Sequence, residues 1–310
     1  MTFSDINALG KKRKPFLFIS DFKAQKLKVI PLDQLNDIEF QIEENYANTT
    51  HNYSLKKTPI NFSIYTKKFK KIIEKIKNGD TYLLNLTLPT KVEIDLSLKE
   101  IYTNANAKYK LRYKDEFVCF SPEQFIKIKD NMIHTFPMKG TIDASLANAH
   151  QKILQDKKEM AEHVMVVDLL RNDLSIKAKN VKVEKFRYIT EIEAGDKKLL
   201  QVSSHISGEV GNLWHENLGD ILESLLPAGS ISGTPKKSTL NIIDEVEEYE
   251  RGYFTGIFGV YDGTSFDSGV MIRFIENTKD GLIYKSGGGI TLDSDAELEY
   301  NELIDKVYLP

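Results

Sequence analysis

The segment from residue 181 to residue 286 contains five strand-like patterns but only one helix-like pattern. Strands are predicted at 181–192, 200–210, 256–261, 266–276 and 282–286, and a helix is predicted at 235–249. Consecutive strands without helices between them pair as antiparallel neighbours, because parallel pairing needs a long crossover connection. The chain is therefore predicted to have an α+β fold with antiparallel sheets and separate helices.

The rest of the chain adds strands and helices without a repeat or a low-complexity linker. A hairpin is predicted between residues 16 and 30, and a helix at 32–44. Further strands are predicted at 81–92, 117–120, 125–128 and 132–136. Further helices are predicted at 66–77, 154–174 and 295–307. Residues 1–310 are therefore expected to form a single domain.

Charge and cysteine content exclude several classes of protein. The 42 basic and 45 acidic residues leave a net charge of −3, which favours neither nucleic acid nor a membrane as partner. Cys119 is the single cysteine, so an internal disulfide and a cysteine-rich zinc site are both excluded. The apolar stretch 16–19 is too short for a signal peptide or a membrane span. We expect a cytoplasmic protein with a small neutral or anionic ligand.

Lys139 places an amine in a segment made otherwise of turn-forming and apolar residues, FPMKGT at 136–141. Pro137 breaks the predicted strand before it, and Gly140 predicts a turn after it. Lys139 is therefore expected at the end of a strand, facing a loop. A lysine in such a place is usually a solvated surface charge, but an amine there can also attack as a nucleophile.

Two pairs of glutamates are spaced i, i+3 on predicted helices, Glu159 with Glu162 and Glu299 with Glu302. Each pair therefore shares one face of its helix, where like charges repel. Solvated helix faces are one reading of both pairs. The first pair lies in a segment too apolar to be fully exposed, which favours a hard divalent cation such as Mg²⁺. Zinc is less plausible, because the residues around His163 lack the spacing of the zinc and di-iron motifs.

Glycine-rich segments and one arginine supply candidate anion-binding groups. GGG at 287–289 follows a predicted strand, and GSISGTPK at 229–236 enters a predicted helix with Thr234 as its N-cap. Carboxylate binding by backbone amides and tight turns that require glycine are both open readings. Arg273 lies within a predicted apolar strand, and an inward-facing arginine needs an anion such as a substrate carboxylate.

The order of these motifs resembles that of the chorismate-utilising enzymes, a family that includes anthranilate, isochorismate, salicylate and aminodeoxychorismate synthases. The resemblance covers about residues 67–306. It is carried by GDTYLLNLT at 79–87, SPE at 121–123, PMKGT at 137–141, KEMAEH at 158–163, VDLLRND at 167–173, SH at 204–205, GSISGTPK at 229–236, RG at 251–252, Arg273, GGG at 287–289 and EYNE at 299–302. The family resemblance implies a sandwich of two antiparallel sheets flanked by helices, with an abbreviated N-terminal part at 1–60.

The resemblance also implies a role for each candidate residue. The implied Mg²⁺-binding residues are Glu159, Glu162, Glu299 and Glu302. The implied substrate-binding residues are Thr141, His205, Ser230, Arg273, Gly287 and Gly289. The ion would hold the ring carboxylate of chorismate, whereas Arg273 and the glycine amides would hold the enolpyruvyl carboxylate.

Lys139 discriminates between branches of the family. Anthranilate and isochorismate synthases usually have alanine at this place, whereas aminodeoxychorismate synthases have lysine, with a glutamate sixteen positions earlier that corresponds to Glu123. This similarity implies that Lys139 adds to C2 of chorismate and that Glu123 protonates the departing 4-hydroxyl group. Leu83 stands where water-adding members have a lysine, and Phe254 stands near a place that is often tyrosine.

The implied reaction is the conversion of chorismate and ammonia to 4-amino-4-deoxychorismate, a precursor of p-aminobenzoate and folate. Because the chain contains no Cys-His-Glu glutaminase, the resemblance implies a separate glutamine amidotransferase subunit as heterodimer partner. The short N-terminal part implies no feedback by tryptophan. Anthranilate synthase component I is the alternative enzyme, and a non-catalytic chorismate-binding subunit is the alternative of another class.

Overall fold

The structure is a computed structural model that describes residues 1–42, 53–194 and 197–310. The helices in these ranges are α1 (Phe3–Lys11), α2 (Phe62–Lys77), α3 (Leu98–Asn104), α4 (Ala149–Gln155), α5 (Lys157–Ser175), α6 (Leu218–Leu225), α7 (Gly229–Ser232), α8 (Lys236–Glu247) and α9 (Ala296–Asp305). The strands are β1 (Phe16–Ser20), β2 (Leu27–Pro31), β3 (Ile38–Ile42), β4 (Leu55–Thr58), β5 (Leu83–Ile94), β6 (Tyr109–Tyr113), β7 (Phe117–Ser121), β8 (Gln124–Lys129), β9 (Met132–Thr135), β10 (Met138–Asp143), β11 (Lys179–Ala194), β12 (Lys197–Glu209), β13 (Gly233–Thr234), β14 (Ile257–Tyr261), β15 (Phe266–Val270), β16 (Phe274–Thr278) and β17 (Gly281–Ile290).

The described strands form two antiparallel sheets, which confirms the predicted α+β class. The first sheet has the order β10-β12-β9-β8-β15-β14-β1-β2, with β11 paired to β12. The second has the order β13-β5-β17-β16-β7-β6-β3, with β4 paired to β5. Within the ranges that the structure describes, no helix is long and apolar enough to cross a membrane.

Strand β1 shows why the two sheets pack face to face. Its five residues are all fully buried, because successive side chains point to opposite faces and both faces are covered. Leu17 and Ile19 lie in the core between the sheets, with residues of the second sheet that include Tyr109, Leu111, Phe117 and Phe274. Phe16 and Phe18 lie in the opposite core, under residues of α1, α5 and α6 that include Ile6, Val166, Leu170, Leu218 and Leu222.

Helices α2, α8 and α9 cover the outer face of the second sheet. The predicted apolar stripe of α2 packs there through Phe69 and Ile72, in one core with Leu84, Leu86 and Leu88 of β5. The Asn61 side chain accepts a hydrogen bond from the Ser63 amide and begins α2 earlier than predicted. The helix predicted at 154–174 is interrupted at Asp156, whose side chain caps α5 by accepting a bond from the Glu159 amide at 2.9 Å.

Two predicted elements are wrong. The helix predicted at 32–44 is a 3-10 turn at Leu32–Gln34 followed by β3, because Ile38 and its alternate neighbours pack between the sheets opposite β6. Residues 43 and 44 of that prediction lie outside the described ranges. The strand predicted at 266–276 is split into β15 and β16, which belong to different sheets.

The split between β15 and β16 places Arg273 in a connection and not in a strand. Met271 is fully buried between the sheets and exchanges backbone hydrogen bonds of 2.8 Å with Thr255 and Gly256. Arg273 then adopts the left-handed region at φ 46°, which turns the chain from the first sheet into the second. This strand break carries no proline or glycine, so turn-residue signals did not predict it.

Gly233 marks a point where backbones approach closely, and we predict that alanine is not tolerated there. Its φ is +121°, and an added Cβ would overlap the Leu83 carbonyl, which is part of the β13–β5 pairing. We expect Gly233→Ala to lower the free energy of unfolding by about 3 kcal/mol or more. Gly79→Ala is the matched control, since φ is +80° but no atom lies within 4 Å, and it should cost only about 1 kcal/mol. Urea unfolding measures both, and equal losses would contradict the prediction.

Candidate active site

A cavity of about 490 Å³ lies among β5, β10, α5, β17 and α9, where both sheets contribute wall residues. All the residues predicted for catalysis, metal binding and substrate binding line this cavity, with the exception of His205: Glu123, Lys139, Thr141, Glu159, Glu162, Ser230, Arg273, Gly287, Gly289, Glu299 and Glu302. A second cavity of about 1290 Å³ adjoins it and shares the wall residues Met138, Gln201 and Arg273. The fold thus brings together residues from distant parts of the chain.

Lys139 lies in strand β10, one residue after its start, and not at the end of the preceding strand, facing a loop, where the sequence analysis expected it. Its Nζ is 3.1 Å from Oε2 of Glu162 on α5, and the lysine side chain is 23% exposed. The register of β10 against β12 shifts between Met138 and Thr141. Gly140, in this bulge, has φ +86°, and a Cβ there would come within 3.2 Å of Glu159 Oε2. The glycine therefore lets the α5 carboxylates approach β10.

His163, the residue after Glu162, fixes α5 against the first sheet. His163 is fully buried, and its Nε2 is 2.7 Å from the Ser204 hydroxyl oxygen of β12. Burial lowers the pKa of His163 to about 4, with a further lowering by the charge of Arg187. A neutral histidine at this place is a packing residue, and it orients Glu162 towards the cavity.

The second glutamate pair reaches the cavity from α9. A Cβ at Gly288 would come within 3.3 Å of Glu299 Oε2 and 3.5 Å of Glu302 Oε1. The glycines 287–289 do not follow a strand as predicted, but lie within β17 and pair with residues 85–87 of β5. Their lack of side chains lets α9 carboxylates approach the sheet, and a Cβ at Gly289 would lie 3.1 Å from Lys139 Nζ. Close approach, rather than a loop, is what requires glycine here.

Lys306 is a cavity residue that the sequence analysis missed. Its Nζ lies 2.6 Å from Glu302 Oε1 and donates to the Gly287 carbonyl at 2.9 Å. Its i, i+4 spacing from Glu302 was the available signal. Helices α5 and α9 therefore each place two glutamates in the cavity, and one ammonium group faces each pair, that of Lys139 beside α5 and that of Lys306 directly after α9. Among the residues that the structure describes, no three His, Cys, Asp or Glu side chains are grouped closely enough to hold one metal ion.

Glu123 follows the bend after β7, where its amide donates to the Ser121 hydroxyl at 3.0 Å. Its Oε1 accepts a hydrogen bond of 2.7 Å from the Ser230 hydroxyl of α7. Burial raises the pKa of Glu123, and this effect outweighs the opposing effects of the Ser230 bond and of the Lys139 and Lys306 charges. Burial therefore shifts the Glu123 carboxyl group towards its protonated form, the direction that a general acid requires.

Arg273 and His205 differ from their predicted settings. The Arg273 guanidinium lies 5.1 Å from the Tyr308 ring centroid at the boundary of the two cavities, half-buried and outside any strand. His205 does not line the candidate site: its ring stacks on Phe136 at 4.6 Å, and its Nε2 is 3.0 Å from His134 Nδ1. Gln201, four residues earlier on β12, lines the cavity instead. The extra residues at the register shifts lie in β10 and β11, so Gln201 and His205 share one face of β12, and His205 lies about 13 Å further along the strand, away from the cavity.

Comparison with known sequences identifies relatives of the whole chain. The family model described as chorismate binding enzyme matches residues 12–309. A Haemophilus influenzae protein with the name uncharacterized PabA-like protein is 47% identical over 98% of this chain and 94% of its own length. Aminodeoxychorismate synthase component 1 of Bacillus subtilis is 30% identical over 77% of this chain and 54% of its own length. Anthranilate synthase component 1 of Archaeoglobus fulgidus is 30% identical over 77% and 60%, respectively.

Solved structures share the fold at lower identity. Anthranilate synthase component I from Streptococcus pneumoniae superposes with a TM-score of 0.70 at 26% identity, over 82% of this chain and 58% of that one. A putative isochorismate synthase, DhbC from Bacillus anthracis, superposes with a TM-score of 0.74 at 20% identity, over 98% and 87%. The latter likeness concerns the fold alone. Together with the antiparallel sheets, these matches confirm the predicted fold class.

The raised pKa of Glu123 predicts how pH changes the stability of the protein. A folded pKa above the unfolded value of about 4.3 means that wild-type stability falls as the pH rises from that value through the folded pKa. Glu123→Gln lacks this ionisation, so its stability relative to wild type should increase as the pH rises above about 4.3. Urea unfolding at a series of pH values measures the difference.

Asp262→Asn is the control of opposite sign. Burial opposes ionisation of Asp262, but hydrogen bonds from Ser265 and Thr264 outweigh it and lower the pKa to about 2. This stabilisation is present above the unfolded pKa of about 3.9 and is lost as the pH falls towards 2. Because Asp262 is exposed, Asp262→Asn should cost only about 1 kcal/mol at neutral pH. A Glu123→Gln variant with the same pH profile as wild type would contradict the prediction for Glu123.

Proposed function

This chain belongs to the family of chorismate-binding enzymes, and we propose that it is component I of an aminodeoxychorismate synthase. In this proposal it converts chorismate and ammonia to 4-amino-4-deoxychorismate, for p-aminobenzoate and folate biosynthesis in the cytoplasm. The observation that carries the proposal is the presence of Lys139 and Glu123 in the walls of one cavity. The volume of about 490 Å³ lies within the range of small-molecule sites.

Lys139 and Glu123 supply the two groups that the displacement at C4 needs. Once Lys139 has lost its ammonium proton to solvent, the neutral amine forms a bond to C2 of chorismate, the two conjugated ring double bonds shift, and the C4–O bond breaks. Glu123 gives its proton to the departing oxygen, so that water leaves. Ammonia then forms a bond to C4, the two double bonds shift back, and the C2–N bond breaks to release Lys139 as the amine. The new C4 ammonium group returns a proton to the Glu123 carboxylate. The raised pKa of Glu123 supports its role as the proton donor.

The two carboxylates of chorismate need positive or hydrogen-bonding partners in the cavity. Arg273 offers a guanidinium at the wall, and we assign it to the enolpyruvyl carboxylate together with amides at Gly287 and Gly289. Lys306, which donates to the Gly287 carbonyl, adds a further cationic group to the cavity wall. The Thr141 hydroxyl also lines the cavity and is assigned to the substrate, whereas the Ser230 hydroxyl donates to Glu123.

The donor groups present fit a magnesium ion. Glu159, Glu162, Glu299 and Glu302 offer only oxygen ligands, which Mg²⁺ prefers, and Mg²⁺ commonly takes one or two carboxylates with water and substrate oxygens. A preformed set of three side-chain ligands is therefore not required. When bound, the ion would hold the ring carboxylate of the substrate. In the absence of the ion, the Lys139 and Lys306 ammonium groups compensate the negative charges of Glu162 and Glu302.

Ammonia must come from outside this sequence. Glutamine hydrolysis by an amidotransferase of the Cys-His-Glu type needs a cysteine thiolate, and the single cysteine here, Cys119, is fully buried in the core. Burial raises the pKa of the Cys119 thiol, so that it is a poor nucleophile. We therefore propose a glutamine amidotransferase subunit as the partner, in a heterodimer.

The decisive experiment supplies chorismate, Mg²⁺ and ammonium, and identifies the product by mass and by conversion to p-aminobenzoate with an added lyase. We expect 4-amino-4-deoxychorismate, and the same product with glutamine once the cognate amidotransferase is added.

Lys139→Ala should lower kcat at least about 1,000-fold because the nucleophile is lost. Lys91→Ala, at an exposed lysine of β5, is the matched control and should leave kcat unchanged. Anthranilate as product would instead identify an anthranilate synthase, and a protein that binds chorismate without consuming it would be a non-catalytic subunit.

The ion pair between Lys139 and Glu162 makes a separate prediction about magnesium affinity. An ammonium 3.1 Å from Glu162 Oε2 competes electrostatically with a cation at that carboxylate. Lys139→Ala should therefore bind Mg²⁺ more tightly than wild type, whereas Glu162→Gln should bind it at least about 10-fold more weakly. Isothermal titration with Mg²⁺ in the absence of chorismate measures both. Wild-type affinity in Glu162→Gln would show that this carboxylate does not ligate the ion.

A further inference from the structure

We propose that Arg251 and Asn85 are positioning residues that hold the Ser230 hydroxyl against the Glu123 carboxylate. Neither is part of the predicted site, and Arg251 does not line the cavity. Asn85 and Arg251 are linked to Glu123 by an unbroken series of hydrogen bonds. The inference rests on the proposed function only for the role of Glu123 as general acid.

The series begins at the buried Arg251 guanidinium, which is engaged on all three nitrogens. Nε and Nη2 bind the two carboxylate oxygens of Glu247 at 2.8 and 2.6 Å. Nη2 also donates to the Asn85 carbonyl at 2.7 Å, and Nη1 donates to the Ile231 carbonyl at 3.5 Å and to the Thr255 hydroxyl at 3.3 Å. One planar group therefore fixes three segments that all line the cavity.

Asn85 connects the Arg251 guanidinium to Ser230 through hydrogen bonds. The side-chain amide of Asn85 donates to the Ser230 backbone carbonyl at 3.0 Å, and the backbone carbonyl of Asn85 accepts a hydrogen bond from Arg251. Ile231, the residue after Ser230, is held by Arg251 through its carbonyl. Two consecutive carbonyls, those of Ser230 and Ile231, are thereby held, and the Ser230 hydroxyl donates to Glu123 Oε1 at 2.7 Å.

Helix α7, which carries Ser230, has only four residues and no side-chain cap at its N-terminus. A single turn is not stable by itself, because nucleation fixes several dihedral angles for few hydrogen bonds. The conformation of α7 therefore depends on contacts from outside. The bonds from Asn85 and Arg251 are such contacts, and they determine where the Ser230 hydroxyl points.

Glu247 fixes β5 at a second point. Its Oε1 accepts from the Thr87 amide at 2.8 Å and from the Thr87 hydroxyl at 2.9 Å. Thr87 and Asn85 are two residues apart, so both lie on the same face of β5, and both line the cavity. A buried ion pair adds little net stability compared with apolar packing. The buried pair of Arg251 and Glu247 is therefore better explained by the positions that it imposes on β5 and α7 than by a gain in stability.

Without the Ser230 hydrogen bond, the Glu123 carboxyl group would rotate away from the substrate oxygen that it must protonate. The chemical step would suffer, whereas binding of chorismate through Arg273 and the glutamate pairs would not. Loss of positioning therefore predicts a lower kcat with an unchanged KM. A purely structural role would lower stability and leave the kinetic constants of the folded fraction unchanged.

The test compares Arg251→Lys with Arg112→Lys. Lysine at 251 retains the charge opposite Glu247 but cannot make the bidentate and backbone bonds together. We expect Arg251→Lys to lower the kcat of chorismate consumption at least about 10-fold, with KM within about 2-fold of wild type. Arg112 is a second buried arginine, paired with Asp37 and Glu39 away from the cavity, so Arg112→Lys should cost stability and leave kcat unchanged.

Crystal structures of wild type and Arg251→Lys give a readout that is independent of the reaction. We expect the Ser230 Oγ to Glu123 Oε1 distance to increase from 2.7 Å in wild type to beyond about 3.5 Å in the variant. Asn85→Ala, which removes the donor to Ser230 without disturbing the ion pair, should have the same effect if Arg251→Lys does not fold. An intact Ser230–Glu123 bond in both folded variants would overturn the positioning role. Formation of another product by wild type would overturn the proposed function alone. The Ser230–Glu123 distance in the variants would still test the positioning role of Arg251 and Asn85.

Discussion

The pairing of β5 with β17 is the constraint on which the site depends. It runs without interruption from Leu282 opposite Val92 to Ile290 opposite Leu84. Glycines at 287–289 remove the side chains from one end of this pairing, so that α9 can place its carboxylates over Gly288 and Lys139 can approach Gly289. The β5 edge then pairs with β13 at Gly233, which places α7 and Ser230 beside the cavity. Site residues from α9, β10 and α7 are thus positioned against this pair of strands.

Charge compensation is the second feature that organises the cavity. Four glutamates in one cavity would repel strongly if each were left without a partner in a medium of low dielectric constant. Two lysines are placed against them, at 3.1 Å from Glu162 and 2.6 Å from Glu302. A divalent cation and a dicarboxylate carry opposite charges of equal size, so the proposed binding of both would leave the total charge of the cavity unchanged.

The buried pair of Arg251 and Glu247 shows how the core reaches the chemistry. The guanidinium contacts backbone carbonyls of two cavity segments, and the carboxylate holds a third point on β5. Because one rigid planar group makes these contacts, the relative position of β5 and α7 is defined more sharply than by apolar packing alone. The position of the Ser230 hydroxyl, which donates to Glu123, is thereby defined as well.

Much of the site could be predicted from residue chemistry, but not its geometry. The glutamates at i, i+3, the lysine in its turn-forming segment and the glycine runs are local signals, and all of these candidates line one cavity. Local periodicity also predicted β1, α2 and the long strands β11 and β12 correctly in kind. The residues 32–42 were wrongly predicted as helix because their apolar side chains fit either period over so short a stretch.

The sequence by itself determined which reactive groups the chain carries and that its strands form antiparallel sheets, since both follow from residue type and local pattern. Only the tertiary structure decided which of them meet. Ser230 and Glu123 are 107 residues apart, Arg273 lies where the chain changes sheets, and β12 places Gln201 in the cavity and His205 outside it. The reason is physical: the period of a segment determines which side chains share a face, whereas contacts between faces depend on long-range pairing and on bulges that shift the register.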